Sequence, residues 1–311
     1  MKIIYLLSLL LTISCNKDID SLNAHSNKKL YSLKFFNMGT SLSVSYISKV
    51  KDKKLEKEIV DYIEVFNNEN SFYNKNSYIS KINRDGYNHF IKVPNYFCKL
   101  LELSIKYSIE SEYKFDITYK SPKDSRGVDN ILVDCSNNRI KLLKKDVTID
   151  TGGIAKGYAI DRVAKIIKRY NHKDFFVNFG GDIFICGSKN GKEWKIGIKD
   201  PYSNRYLKIL SKPINNKNSC YSIATSGDYE RYIVKDGKKY SHIIDPKTGR
   251  SIEGAHSITV IGDNATLTDT FATAISVGFK DDDYIKRISK RFNLNVYTLT
   301  GKDRRLREYS Y

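Results

Sequence analysis

Asp150-Thr151-Gly152-Gly153-Ile154-Ala155-Lys156-Gly157-Tyr158 joins a short β-branched run to an amphipathic stretch, and the rest of the chain can be read outward from that junction. Upstream, Val147-Thr148-Ile149 predicts the end of a strand. Downstream, Ala155, Ala159, Val163, Ile166, Ile167 and Tyr170 recur at spacings of three and four, which predicts a helix with one apolar stripe. Gly152 and Gly153 therefore fall at a helix N-terminus, where unpaired N–H groups and the positive end of the helix dipole collect. Glycines let a ligand approach the backbone there, and Lys156 adds a mobile cation. A phosphate suits that geometry, and so does a plain turn. The run is not a Walker A motif, because Tyr158 follows Gly157 where Lys-Ser or Lys-Thr is required, and it is not GxGxxG. On this stretch alone the two readings stay open.

Towards the N-terminus, residues 1–15 carry Lys2, an apolar run from Ile3 to Leu11, and small or polar residues ahead of Cys15. That is the layout of a secretory signal, too short to span a membrane. Leu11-Thr12-Ile13-Ser14-Cys15 resembles a bacterial lipoprotein processing site, with Thr12 where leucine is usual. The expectation is a chain exported to the periplasmic or cell-envelope side of a bacterial membrane and anchored through a lipid on Cys15. The alternative is an ordinary secretory signal that contains a cysteine, and either reading exports the chain. Residues 16–30 are polar and aperiodic, as a flexible tether would be, which leaves residues 31–311 as one domain.

Cys98, Cys135, Cys186 and Cys220 form no Cys-x-x-Cys pair and no His-Cys cluster, which argues against zinc and thiol redox chemistry and leaves buried free thiols as the expectation. The net charge of +18 favours anionic partners in general. Its lysines are spread along the whole chain, however, and no nucleic-acid-binding signature appears, so no nucleic-acid partner is expected.

Alternation at Tyr31 to Phe36 and Leu42 to Ile47 predicts two strands around the turn Met38-Gly39-Thr40. Leu55, Ile59, Tyr62, Ile63 and Phe66 predict a first helix, and Phe97, Leu101, Ile105 and Ser108 a second that starts near Pro94. The helix after Gly153 is the third. Short β runs follow at Phe175 to Val177, Ile183 to Cys186, Trp194 to Ile198, Tyr206 to Leu210, Ser222 to Thr225 and Tyr229 to Val234, with turns such as Asp236-Gly237. A fourth helix is expected from Thr268 or Asp269, and a fifth around Tyr284, Ile285, Ile288 and Phe292. Strands cluster and do not alternate strictly with helices, so the fold class is α+β, with mixed or antiparallel sheets and about five helices.

Asp269 and Thr273 are four apart, so on a helix a carboxylate and a hydroxyl share one face. Oxygen ligands of that kind suit Mg²⁺. Thr268 or Asp269 as a simple N-cap accounts for the same residues, and that reading stays open too. His242, at a strand end before Asp245-Pro246-Lys247-Thr248-Gly249, is either a general acid or base or a structural histidine.

The order of these segments is more specific than any one of them. Met38-Gly39-Thr40, Ser71-Phe72-Tyr73 through Ser77, Phe115-Asp116-Ile117-Thr118, Asp150 to Tyr158 with Asp161, Gly180-Gly181-Asp182, Thr225-Ser226-Gly227, His242 to Gly249 and Thr268 to Thr273 together resemble the ApbE-like FAD:protein FMN transferases. The resemblance covers nearly all of the chain after Tyr31. It implies two closely packed lobes with the flavin nucleotide between them. It further implies FAD contacts at Met38, Tyr73, Lys114, Phe115, Asp116, Asp150, Lys156 and Ile244, and a metal site at the Gly153 carbonyl and the Asp269 and Thr273 side chains. A small residue is usual where Lys114 stands and a proline where Ile117 stands, so contact at Lys114 is expected through the backbone.

The activity so implied is Mg²⁺-dependent transfer of FMN from FAD to a threonine or serine of an exported acceptor flavoprotein, with His242 activating the hydroxyl and Asp269 as the alternative base. If water replaces the hydroxyl, the same site is an FAD pyrophosphatase releasing FMN and AMP. A reading of another class is a tethered, non-catalytic FAD-binding lipoprotein.

Overall fold

The computed structural model describes residues 28–203, 205–211, 220–227, 232–235, 238–253, 257–300 and 305–310. Cys15, the tether as far as residue 27, the stretch 228–231 and the Asp236-Gly237 turn lie outside the described residues. In chain order the elements are β1 (Lys29–Asn37), β2 (Thr40–Ser48), α1 (Lys53–Asn70), α2 (Tyr78–Asp85), β3 (Ile91–Lys92), α3 (Asn95–Glu110), β4 (Ile131–Asp134) and β5 (Arg139–Leu142). Then follow α4 (Ala155–Arg169), β6 (Phe175–Phe179), β7 (Asp182–Cys186), β8 (Lys195–Lys199), β9 (Tyr206–Ser211) and β10 (Cys220–Ser226). The chain closes with β11 (Tyr232–Lys235), β12 (Lys238–Ser241), β13 (Ser257–Gly262), α5 (Ala265–Gly278), α6 (Asp282–Phe292), β14 (Asn295–Leu299) and β15 (Leu306–Tyr309).

Eight strands form one sheet in the order β1-β2-β6-β7-β10-β13-β14-β15, and every neighbouring pair is antiparallel. The α+β class expected from the sequence is what the chain adopts. Six α-helices appear among the described residues where about five were expected; the addition is α2, whose first turn is capped by the Ser77 hydroxyl accepting the Ser80 N–H at 3.0 Å.

Period-two alternation sorts the central strands onto two faces. Phe175, Val177, Phe184, Cys186 and Ala224 join the main core, which also holds the apolar stripes of α1, α4 and α5. Ile183, Ile185, Tyr221 and Ile223 face the other way and pack with Trp194 and Ile196 at the β8–β9 hairpin. The sheet is therefore covered on both faces at β7, all five residues of which are buried.

Two helices set the site. A Cβ added at Gly157 of α4 would lie 2.2 Å from the Ala265 carbonyl oxygen and 2.8 Å from Asp269 Cβ, so only glycine lets α4 and α5 approach this closely. One turn further along α4, the Asp161 carboxylate accepts the Ala265 and Thr266 N–H groups, each at 2.8 Å, and the Thr266 hydroxyl at 2.5 Å. It thereby satisfies orphan donors at the start of α5. Burial pushes the Asp161 carboxyl up, while those donors pull it down.

Three expectations need correction. Val147-Thr148-Ile149 is extended but belongs to no strand. Its backbone is satisfied by side chains: Ile149 N–H donates to Asn83 Oδ1 at 2.8 Å, Asn83 Nδ2 donates to Ile149 O at 2.9 Å, and Thr148 N–H donates to Ser121 Oγ at 2.8 Å. Second, α5 begins at Ala265, not at Thr268 or Asp269, because Asn264 is its N-cap and accepts the Leu267 N–H at 2.8 Å. Asp269 thus sits in the second turn, which removes the reading of it as a cap. Third, the four cysteines are not free thiols: Cys98 pairs with Cys135 and Cys186 with Cys220. The partners are 37 and 34 residues apart, so only the tertiary fold brings them together; Cys186 and Cys220 stand directly opposite on β7 and β10. No helix among the described residues is long and apolar enough to cross a membrane.

Candidate active site

The glycine turn leads into α4 as expected, but much of that helix start is already engaged. The Ile154 and Ala155 N–H groups donate to the Thr151 carbonyl at 3.0 and 2.9 Å. The Gly157 N–H donates to Asp269 Oδ2 at 2.8 Å. The positive end of α4 thus faces an aspartate of its own chain.

Asp269 is buried, and its Oδ1 lies 3.4 Å from the Lys156 ammonium. The same ammonium pairs with Asp182 Oδ2, so one cation lies between two buried carboxylates. Thr273, one turn on from Asp269, donates its hydroxyl to the Asp269 carbonyl at 3.3 Å. A Cβ built on Gly153 would lie 3.5 Å from Thr273 Cγ2 and 3.2 Å from Phe115 Cε2, so the turn packs against α5 and the Phe115 ring together. The structure therefore brings Gly153, Lys156, Asp269, Thr273 and Phe115 to one place. Asp269 Oδ1, whose contact with Lys156 is long, and the Thr273 hydroxyl are hard oxygen donors of the kind that fit a divalent cation.

A second group surrounds Asp150. Its Oδ1 accepts the Gly152 N–H at 2.9 Å, its Oδ2 accepts the Tyr119 hydroxyl at 3.0 Å, and Lys120 Nζ stands 2.8 Å from Oδ2. Lys120 also lies 3.6 Å from the Phe72 ring centre and 5.8 Å from that of Tyr73. Tyr73 is 87% exposed, an open aromatic face beside this cluster.

Elsewhere the expected residues fall in distinct settings. Lys114 lays its ammonium 4.5 Å from the Tyr284 ring centre. Asp116 is buried and accepts the Thr118 N–H and hydroxyl, both at 2.7 Å; burial pushes its carboxyl up against those donors. Met38 occupies the β1–β2 turn at φ 50, and its N–H donates to Asn37 Oδ1 at 2.7 Å. That turn abuts the β6–β7 turn, because a Cβ on Gly180 would come within 2.3 Å of Thr40 Oγ1.

His242 is exposed and Ile244 bridges to Ser251 in the loop after β12. Arg126 ties that loop to the segment after Asp116, donating to the Pro246 carbonyl at 2.5 Å and to the Ser121 carbonyl at 3.0 Å. Beneath it, Ile243 and Ile252 pack on Val277 and Phe279 at the end of α5. The two expected catalytic residues thus stand on separate elements, His242 in this loop and Asp269 in the second turn of α5.

The family model described as the ApbE family matches residues 38–293, which span every segment just described. The chain belongs to the ApbE family. It is 28% identical over 309 residues to the FAD:protein FMN transferase of Haemophilus influenzae, covering 88% of each chain. It is also 28% identical over 308 residues to that of Vibrio cholerae, covering 88% of this chain and 86% of the relative. Among solved structures, the ApbE protein of Thermotoga maritima superposes with a TM-score of 0.81 at 29% identity, over 90% of this chain and 97% of that one. The flavin transferase ApbE of Vibrio cholerae gives 0.77 to 0.78 at 25% identity, over 91% of this chain and 97% of that one.

Within the ApbE frame, reading the sequence missed several residues that build the site. Tyr119 and Lys120 directly follow the Phe115 to Thr118 motif, and only the fold carries them to Asp150. Gly157 and Asp161 belong to a segment that the sequence singles out, but their roles come from the fold: one permits the helix crossing and the other, four residues on, caps the partner helix. Asp182 stands out in the sequence only as part of the Gly180-Gly181-Asp182 segment, with no role of its own, and Arg126 carries no signal.

Proposed function

We propose that this ApbE-family protein transfers the FMN moiety of FAD to a threonine or serine hydroxyl of an exported acceptor flavoprotein, releasing AMP, with Mg²⁺ bound at Gly153, Asp269 and Thr273. The observation that carries the proposal is the meeting of the Gly153 turn with Asp269 and Thr273 beside the Lys156 ammonium. Mg²⁺ there would supply charge neutralisation for a pyrophosphate. Lys156 adds a second positive charge to the same end of the site. Tyr73 offers its exposed ring to the flavin, and Asp150 sits behind it through Lys120.

The acceptor oxygen forms a bond to the FMN phosphorus, the bond from that phosphorus to the bridging oxygen breaks, and AMP departs with that oxygen. His242, exposed on the loop held by Arg126, takes the hydroxyl proton; Asp269 is the other candidate base. Export and a lipid on Cys15 belong to the same proposal. The signal-like residues 1–15 support them, as do two disulfides, which persist in oxidising compartments.

The test is to incubate the purified protein with FAD, Mg²⁺ and an exported flavoprotein that bears a candidate threonine, and to follow acceptor mass and free FMN. A mass gain equal to one FMN on the acceptor is the expected result. Free FMN without that gain would make the protein a pyrophosphatase, and tight FAD binding with neither product would make it a carrier.

A further inference from the structure

Asp182 is among the most buried charged residues of those described, 2% exposed, and the nucleotide and metal contacts above give it no part. It opens β7 directly after the Gly180-Gly181 turn, in the interior of the eight-stranded sheet. Its Oδ1 accepts the Thr225 N–H from β10 at 3.2 Å, while its Oδ2 pairs with the Lys156 ammonium. The carboxylate is therefore anchored by the sheet and aimed at one cation.

That cation has a second suitor. Lys156 Nζ also stands 3.4 Å from Asp269 Oδ1, the oxygen a divalent ion would use, since Oδ2 is taken by the Gly157 N–H. Two buried anions share one ammonium, and a buried carboxylate left without a counter-charge is costly. The geometry points to Asp182 as a positioning residue that holds the Lys156 ammonium away from Asp269, keeping Oδ1 open to a divalent cation and leaving the lysine charge beside it. This inference rests on the metal site of the proposed function and deepens it.

The physics gives a specific sign. With Asp182 neutralised, Lys156 is left with Asp269 as its carboxylate partner and competes with the metal for the same oxygen. A carboxylate at Asp182 would also attract the metal simply through its charge, so a single variant does not separate the two effects. A double-mutant cycle with Lys156 does, because an action through the lysine vanishes once the lysine is gone.

The experiment measures Mn²⁺ binding, without nucleotide, to the purified protein and to its Asp182→Asn, Lys156→Met and doubly substituted forms, by calorimetry or by the paramagnetic signal of free Mn²⁺. Asparagine keeps the shape of the side chain and an acceptor for Thr225. The expected result is about tenfold weaker binding in Asp182→Asn, tighter binding in Lys156→Met, and less than about a threefold effect of Asp182→Asn in the Lys156→Met background. Equal losses in both backgrounds would overturn the positioning role, as would unchanged affinity in Asp182→Asn. Should Asp182→Asn not fold, Lys156→Met alone decides: tighter Mn²⁺ binding supports the inference, and equal or weaker binding overturns it. An unsubstituted protein that binds no Mn²⁺ overturns the metal site itself, and this inference with it.

Discussion

The Gly157 amide donates to Asp269 Oδ2 at 2.8 Å across a helix crossing so close that a single methyl group on Gly157 would collide with the Ala265 carbonyl oxygen. This hydrogen bond, with those that Asp161 accepts, links the helix that leaves the glycine turn to the helix that carries the acidic site residue.

Gly157→Ala is expected to force α4 and α5 apart. Alanine is the better helix former by about 1 kcal/mol, yet overpacking against backbone costs about 1–3 kcal/mol and wins here. Urea unfolding of the variant checks this, with a net loss of stability and weaker metal binding as the expected outcome. A variant more stable than the parent would show that the crossing relaxes freely.

Asp269→Asn retains an oxygen able to accept the Gly157 N–H, so the fold is expected to survive. The charge offered to the metal is lost, and Mg²⁺-dependent FMN transfer should fall by about a hundredfold or more, as when a group that stabilises developing charge is removed. Initial rates across a Mg²⁺ titration, with circular dichroism to verify folding, measure both. Full turnover in this variant would sink the assignment of Asp269 to the metal.

Cys98, Cys135, Cys186 and Cys220 should give no reaction with a thiol reagent in the unfolded but unreduced protein. Replacing both members of either pair by serine is expected to cost about 2–4 kcal/mol, read from the urea midpoint. Four titratable thiols before reduction would contradict the pairing.

Acid should loosen α1 from the end of α4. The Tyr170 hydroxyl, which donates to Glu58 at 2.8 Å, and the paired Arg169 hold the Glu58 carboxyl below its ordinary value of 4.5. Burial pushes Asp52 up, but the Leu55 N–H and His172 outweigh it and bring that carboxyl below 3.8. Both folded values are depressed, so this stabilisation is complete above the ordinary values and fades as pH falls through the depressed ones. Stability measured from neutral pH downward should decline in that acidic window, and Glu58→Gln should flatten the decline.

Helices with long apolar stripes were legible because burial imposes a period of 3.6 that composition cannot hide. Ala159, Val163 and Ile167 lie in the core as their spacing predicted, and the same holds for Leu55, Ile59 and Ile63. The site segments were legible as an ordered series, and the structure brings Gly153, Asp269 and Thr273 together. What escaped the sequence depends on long-range partners. Val147-Thr148-Ile149 has strand composition, yet its hydrogen bonds go to Asn83 and Ser121, which no local pattern reveals. The start of α5 was misplaced because its capping comes from Asn264 and, through space, from Asp161. The disulfides escaped for the same reason, since cysteine spacing carries no connectivity.

The stretch before the glycine turn is hung from Asn83 and Ser121, with Asp150 N–H donating to the Ile117 carbonyl at 2.7 Å. A strand in a ladder shifts only if its neighbours shift, whereas a segment suspended from two side chains can be re-aimed by replacing either one. Replacing Asn83 or Ser121 can therefore re-aim the approach to the glycine turn and leave the eight-stranded sheet untouched.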